Sequence, residues 1–389
     1  MDTIICRTSA YQFWRTPPIV KLLAAGSEDN PLLPKLVAEA ELTAFRSELA
    51  ARLPLAQACA IPQRTQGQDL RSIREAWPLL APGLEPPISL LASTKQQRHS
   101  CQITRYALWQ GDLPIGSTRE IAYDLSVTSP AFTLLQLASK STPAKTALLA
   151  SELCGSYAVY HAPQPVAAQL QRMIDRGNLP AIGGWCPCLS PDRRLTDLWS
   201  RPPLVTLDEL EDIIVQSDSR NGKRTLSQAI KLIKPFAASP FETQAGALLG
   251  FPTSYGGEGF GDFTFNEKVD LTPEARLLAQ RSCCYCDLYW ADGLDVECQS
   301  ASYHDNAQGF ISDSDRTAAL SLVGINVLPL TYAQLNDARR FDAFCEAVAM
   351  ALGRPRKQKT ERQLLAARQL RDELFVDWWK LPFTACFKK

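Results

Sequence analysis

The stretch Cys286-Asp-Leu-Tyr-Trp-Ala-Asp-Gly-Leu-Asp-Val-Glu-Cys-Gln299 constrains this chain more than any other. Ala291-Asp292-Gly293 suits a three-residue hairpin loop with Gly293 in the left-handed conformation. That loop sets the register: Trp290 pairs with Leu294, and further down the ladder Asp287 lies opposite Glu297. Successive side chains of a strand point to opposite faces. Asp287, Tyr289, Asp295, Glu297 and Gln299 therefore share one face, and Leu288, Trp290, Leu294, Val296 and Cys298 the other. Like charges directly opposite one another destabilise a sheet. A divalent cation, which gathers oxygen ligands, is the physical candidate for what makes facing acids worthwhile.

A chain of 389 residues with 46% hydrophobic and 21% charged residues is that of a soluble globular protein of two or three domains. The formal net charge is zero, which argues against a strong non-specific grip on nucleic acid and leaves room for a local basic patch. No apolar run is long enough to span a bilayer, and Met1-Asp2-Thr3-Ile4-Ile5 lacks a basic stretch followed by a secretory core. The expectation is a cytoplasmic protein without membrane contact. Its 12 cysteines would then be reduced. Cys186, Cys188, Cys283 and Cys286 are the zinc candidates, but C-x-C spacing departs from the usual zinc knuckle; small buried apolar residues are the default reading.

Residues 1–160 read as an α+β region, helical to about residue 85, then strand-like over Ile88–Leu91, Ile103–Trp109 and Ile121–Val127. Thr128-Ser129-Pro130 opens a helix. Residues 161–237 read as a Pro/Gly-rich linker followed by a helical segment, with Thr206-Leu-Asp-Glu209 as a capping box. Residues 238–353 read as helix, strand, strand, helix, strand, helix. The first helix starts at Ser239-Pro240 and ends near Gly250; Gly256–Gly261 is a loop. A helix from about Asp313 to Val323 stops at Gly324, and Ile325–Leu330 is a strand. Residues 354–389 form a basic tail that becomes helical by about Glu361.

Glu242, in the first turn of the helix before the hairpin, joins Asp287 and Glu297 to give acids from a helix and two strands. This order resembles the PD-(D/E)XK nuclease superfamily. The flanks are similar to domains of unknown function related to the very-short-patch-repair endonuclease: Ser239-Pro-Phe-Glu242, Asp287, Glu297-Cys-Gln-Ser300, His304, Asp313-Ser-Asp-Arg316, Leu320, Gly324 and Val327-Leu328, over about residues 239–335. The resemblance implies an α/β fold with a restriction-endonuclease-like mixed sheet flanked by helices. It implies Mg²⁺- or Mn²⁺-dependent hydrolysis of DNA, with Asp287 and Glu297 as metal ligands, Glu242 in support, and His304 and Arg316 as accessory residues. Two positions depart from the pattern. Gln299 stands where a charged residue is expected and Ser300 where glycine is. Glutamine can orient a water but cannot act as a strong base.

Thr8–Arg15 and Val127–Ala138 resemble segments of type IV abortive-infection antitoxin-like proteins, which implies a DNA-binding regulator or a toxin–antitoxin partner. The alternative to an active nuclease is therefore a catalytically degenerate nuclease fold acting as a DNA-binding antitoxin-like regulator. Arg356, Lys357 and Lys359 in the basic tail are the candidate phosphate contacts, against a solvated surface helix.

Overall fold

The computed structural model describes residues 3–25, 33–51, 68–97, 102–218, 221–299 and 307–384, without the side chains of Pro34, Ala50, Ala51, 307–313 and Thr384. The chain is mixed α/β and divides into two units. Residues 1–149, 157–231 and 379–389 form the first, and residues 150–156 and 232–378 the second. Among the described residues, no helix is long and apolar enough to cross a membrane.

The first unit is built on strands β1 (Thr3–Ile5), β2 (Ile88–Ala92), β3 (Thr104–Leu108), β4 (Thr118–Ala122) and β5 (Leu125–Thr128), in the order β3-β2-β1-β5-β4. The three-residue β1 lies at the centre of the sheet although it falls in a region expected to be helical; it is parallel to β5 and antiparallel to β2. The run Ile121–Val127, expected as one strand, is cut by Asp124 (φ 55°), which turns β4 back onto β5. Helix α1 (Arg7–Arg15) contributes Phe13 to a core with Ile5, Trp77, Leu90, Tyr106 and Val127. Helix α2 (Pro130–Ala138) starts where Ser129 accepts a hydrogen bond from the Phe132 N–H.

The Pro/Gly-rich stretch expected as a linker, ahead of the helical segment, carries regular structure. A second sheet, β6 (Tyr157–Val159), β7 (Cys186–Leu189) and β8 (Leu195–Ser200), runs in the order β6-β8-β7. Helix α3 (Gln164–Arg176) buries Val166, Leu170, Met173 and Ile174, and Trp199 of β8 is fully buried. The Pro/Gly content marks turns between short elements. Helix α4 (Leu207–Gln216) carries the expected capping box between Thr206 and Glu209.

The second unit runs α5 (Pro240–Gly250), β9 (Phe263–Asp270), α6 (Pro273–Ala279), β10 (Cys283–Trp290), β11 (Leu294–Gln299), α7 (Ala307–Leu322), β12 (Asn326–Thr331), α8 (Tyr332–Asn336), α9 (Ala338–Ala351) and α10 (Glu361–Leu374). Its sheet has the order β12-β11-β10-β9: β9, β10 and β11 are antiparallel neighbours, and β12 is parallel to β11. Pro329 fits β12 because that strand lies at the edge. The sequence pattern predicts neither β9 nor α6. The tail is not a separate segment either, since α10 belongs to this unit.

Side-chain parity switches within the β9–β10 ladder. Cys284 and Cys286 pack with Ala319 and Leu320 of α7. Trp290, of the same parity, packs on Phe263 (ring centroids 5.0 Å apart), and the Phe263 ring lies against Gly246 and Gly250 of α5. Regular alternation would put all these residues on one face. The exchange falls at Asn266 (φ 52°), where the ladder keeps its register from Cys286↔Glu267 to Leu288↔Phe265 but Asp287 and Asn266 between them do not pair. Asp287 occupies that irregular rung.

Candidate functional site

Glu242 is placed by its own helix start. The Ser239 hydroxyl accepts from the Glu242 N–H (3.1 Å) and donates to Glu242 Oε1 (2.9 Å), which holds the carboxylate back over the first turn. Oε2 accepts from the Ala238 N–H (2.8 Å) and from Asn266 Nδ2 (2.7 Å). Asn266, absent from the sequence-based site, thus ties β9 to α5. Glu242 is buried, and burial raises its pKa against the lowering effect of these hydrogen bonds.

The hairpin has the register the loop implied, with Trp290↔Leu294, Tyr289↔Asp295 and Leu288↔Val296 paired and Gly293 at φ 84°. At the next level Asp287 Oδ2 accepts from the Cys298 N–H (2.8 Å). Burial pushes the Asp287 carboxyl well above its ordinary range, and the charges of Glu297 and Glu242 push it the same way. The three acids drawn from α5, β10 and β11 therefore share one electrostatic site.

Arg316 of α7 reaches the same place. Its guanidinium donates to Glu297 Oε1 and to the Tyr285 carbonyl. Burial works against its charge, but Glu297 holds its pKa above the ordinary value. Gln299 is half-buried at the end of β11, opposite Thr331 of β12. His304 and Ser300 lie outside the described residues, as does the Asp313 side chain.

Asp295 lies on the acidic face of the predicted hairpin, where the sequence pattern gives it no role. It is fully buried, its oxygens and Glu297 Oε2 have no hydrogen bond of good geometry among the described residues, and its near neighbours are the Cys286 thiol and the Glu297 carboxylate. Burial, then Glu297, pushes its carboxyl up to about 8. Cys286 lies beside it, and burial followed by Asp295 raises that thiol. Burial also raises Cys298, so neither cysteine is a ready thiolate. Glu297, Asp287 and Asp295 thus all act on the Arg316 guanidinium, Glu297 by direct contact.

The Asp295 carboxyl has a folded pKa near 8 against an ordinary value of 3.8, so the protonated form contributes stability below that lower value, and the contribution is lost as pH rises through 8. Glu242 and Asp287, also raised, act in the same direction. We expect the second unit to unfold at lower urea at about pH 9 than at about pH 6, with Asp295→Asn removing part of the difference. An unchanged difference in that variant would refute the assignment.

The basic tail is largely neutralised from within. Arg356 pairs with Glu258 (3.0 Å), Asp342 (2.6 Å) and Glu346 (2.7 Å), and Lys359 pairs with the other Glu258 oxygen. Arg354 pairs with Asp262 and with Asp292 of the hairpin loop, both at 2.7 Å. Lys357 is exposed. Of the three candidate phosphate contacts, Arg356 and Lys359 are thus engaged in the fold. Glu258 is the hub, with a side chain only 9% exposed. Glu258→Gln removes the carboxylate paired with the largely buried Lys359 and one of the three paired with Arg356, and should cost about 3 kcal/mol of unfolding free energy. Urea unfolding measures this, and a change under about 0.5 kcal/mol would mean the network is no more than surface pairing.

Cys284 and Cys286 are buried in the second unit's core, whereas Cys186 is exposed in the first. Among the described residues, no group of three or more His, Cys, Asp or Glu side chains is arranged to hold a metal. No family model, curated protein or solved structure matches the chain.

Proposed function

We propose that the second unit is a nuclease domain of the PD-(D/E)XK kind that hydrolyses phosphodiester bonds in DNA, in the cytoplasm, with a divalent cation. The observation that carries this reading is the pairing of β10 with β11, where Asp287 Oδ2 accepts from the Cys298 N–H (2.8 Å) next to Glu297, with the buried Glu242 of α5 near enough to act on the Asp287 charge. Their order along the chain is the one the resemblance implies. The mixed sheet, with α5 on one face and α7 on the other, is in keeping with it.

The donor chemistry fits Mg²⁺ or Mn²⁺. The site offers hard carboxylate oxygens, three of which, on Asp295 and Glu297, are buried without a hydrogen bond of good geometry among the described residues. A three-carboxylate cage is not required, because Mg²⁺ keeps several waters and commonly takes only one or two carboxylates. Asp287 and Glu297 would hold it. When bound, the cation lowers the pKa of a water and draws charge from the scissile phosphate. Glu242 keeps Asn266 and the α5 start in place, and Asp287 ties β10 to β11 through Cys298. The Gln299 amide can orient a water but cannot take its proton.

The test is incubation of the full chain with duplex DNA, single-stranded DNA and RNA in Mg²⁺ and in Mn²⁺. Cleavage of DNA that stops on chelation is the expected result. Absence of cleavage of every substrate in both metals overturns the reading.

A second reading is favoured by the Arg316–Glu297 pair together with Gln299. In it the domain is catalytically degenerate, and the protein is a DNA-binding antitoxin-like regulator with a protein partner. Its phosphate contacts would be Lys357 and, in the first unit, the exposed Arg119, whose guanidinium lies 5.3 Å from the Trp14 ring. This reading expects salt-dependent DNA retention that survives Glu297→Ala, with no cleavage.

A further inference from the structure

Among the described residues, Arg316 is the guanidinium that serves a site of four carboxyl groups, and its bonds go to a carboxylate oxygen and a main-chain carbonyl. A guanidinium cannot lose its charge by deprotonation. A divalent cation held by Glu297 would therefore meet a fixed positive charge already on that carboxylate. Arg316 is also not sealed in: its side chain is 21% exposed, beside Tyr285, which is 54% exposed. The planar fork that holds a carboxylate has the geometry to take two phosphate oxygens equally well.

We propose that Arg316 exchanges partners: it holds Glu297 while the site is free of metal, and it passes to a phosphate of the nucleic-acid backbone when a divalent cation takes Glu297. This rests on the metal-centre reading. It makes Arg316 both the competitor that sets metal affinity and a substrate contact. Cation and nucleic acid then favour each other's binding, because each supplies what the other removes. The cation displaces the guanidinium, and the phosphate gives it a new anion.

The exchange leaves a signature that loss of a structural arginine does not. Removing Arg316 should move two affinities in opposite directions. Free Mn²⁺ is measured by its paramagnetic resonance during titration of the full chain without nucleic acid, for wild type, Arg316→Gln and Arg316→Lys. Duplex DNA binding is measured separately by fluorescence anisotropy with Ca²⁺ in place of a cleavage-supporting metal. In Arg316→Gln, Mn²⁺ affinity should rise about tenfold or more, and Ca²⁺-supported DNA affinity should fall about tenfold or more. Arg316→Lys, which keeps the charge but loses the fork, should keep Mn²⁺ affinity near wild type and still weaken DNA binding. Mn²⁺ affinity that is unchanged or reduced in Arg316→Gln overturns the exchange, as does DNA affinity unaffected by either variant. If Arg316→Gln does not fold, Arg316→Lys alone decides, because wild-type DNA affinity in that variant overturns the proposal. If Mn²⁺ binds wild type and Arg316→Gln equally, the exchange fails and the metal centre stands. If it binds neither, the metal centre itself fails.

Discussion

Under the proposed nuclease function, replacing Asp287 with asparagine is expected to slow metal-dependent DNA cleavage at least about a hundredfold, the scale on which loss of one pre-organised electrostatic group slows an enzyme. Unfolding is not the cause to expect. The side-chain oxygen of the introduced asparagine can still accept from the Cys298 N–H, the bond Asp287 makes at 2.8 Å. Burial and the neighbouring Glu297 and Glu242 already disfavour the Asp287 charge. Removing that charge should therefore leave the second unit as stable as wild type at neutral pH, or more so. The pairing of near-zero activity with an undiminished urea midpoint is what separates a site role from a structural one. Wild-type cleavage by Asp287→Asn would remove Asp287 from the site, and a collapse in stability would make it a structural residue.

Trp290→Ala should cost the second unit about 3–5 kcal/mol. Trp290 is fully buried at the hairpin end, packs on Phe263 at 5.0 Å and donates from Nε1 to the Phe260 carbonyl at 3.0 Å. Truncation removes the indole, opens a cavity between β10 and the Phe263 ring and leaves that carbonyl without the indole donor. Against a typical domain stability of about 5–15 kcal/mol, this is enough to unfold much of the population under mild denaturant. Urea unfolding followed by far-ultraviolet circular dichroism measures it. Trp290→Phe, which keeps a ring there, should recover more than half of the loss. A midpoint within error of wild type for Trp290→Ala would mean that the hairpin is held elsewhere. Because β10 and β11 carry Asp287 and Glu297, the same variant should also lose activity.

Features governed by a few neighbouring residues were legible in the chain. Ser239 caps α5, Thr206 and Glu209 form their box, Gly324 (φ 83°) ends the segment after α7, and Gly293 sets the hairpin register. The β9 strand escaped because its alternation breaks. Phe263 and Phe265 face α5, and beyond Asn266 the apolar residue is Val269, packed in the α7-side core. A period of two cannot be read through a switch of faces. The central β1 escaped because three residues carry almost no periodic signal.

Local backbone geometry, readable in the chain, fixes Glu242 in a capped helix start and sets the register of the hairpin that carries Asp287 and Glu297. What those acids meet is a matter of packing. The pairing of Arg316 with Glu297, the burial of Asp295 and the capture of Arg356 and Lys359 by Glu258 each depend on residues far apart in the chain. Burial and charge pairing depend on what packs above a residue. No local pattern encodes that, so the role of Asp295 and the particular partner of Arg316, a residue the resemblance had already placed at the site, emerged only in the folded protein.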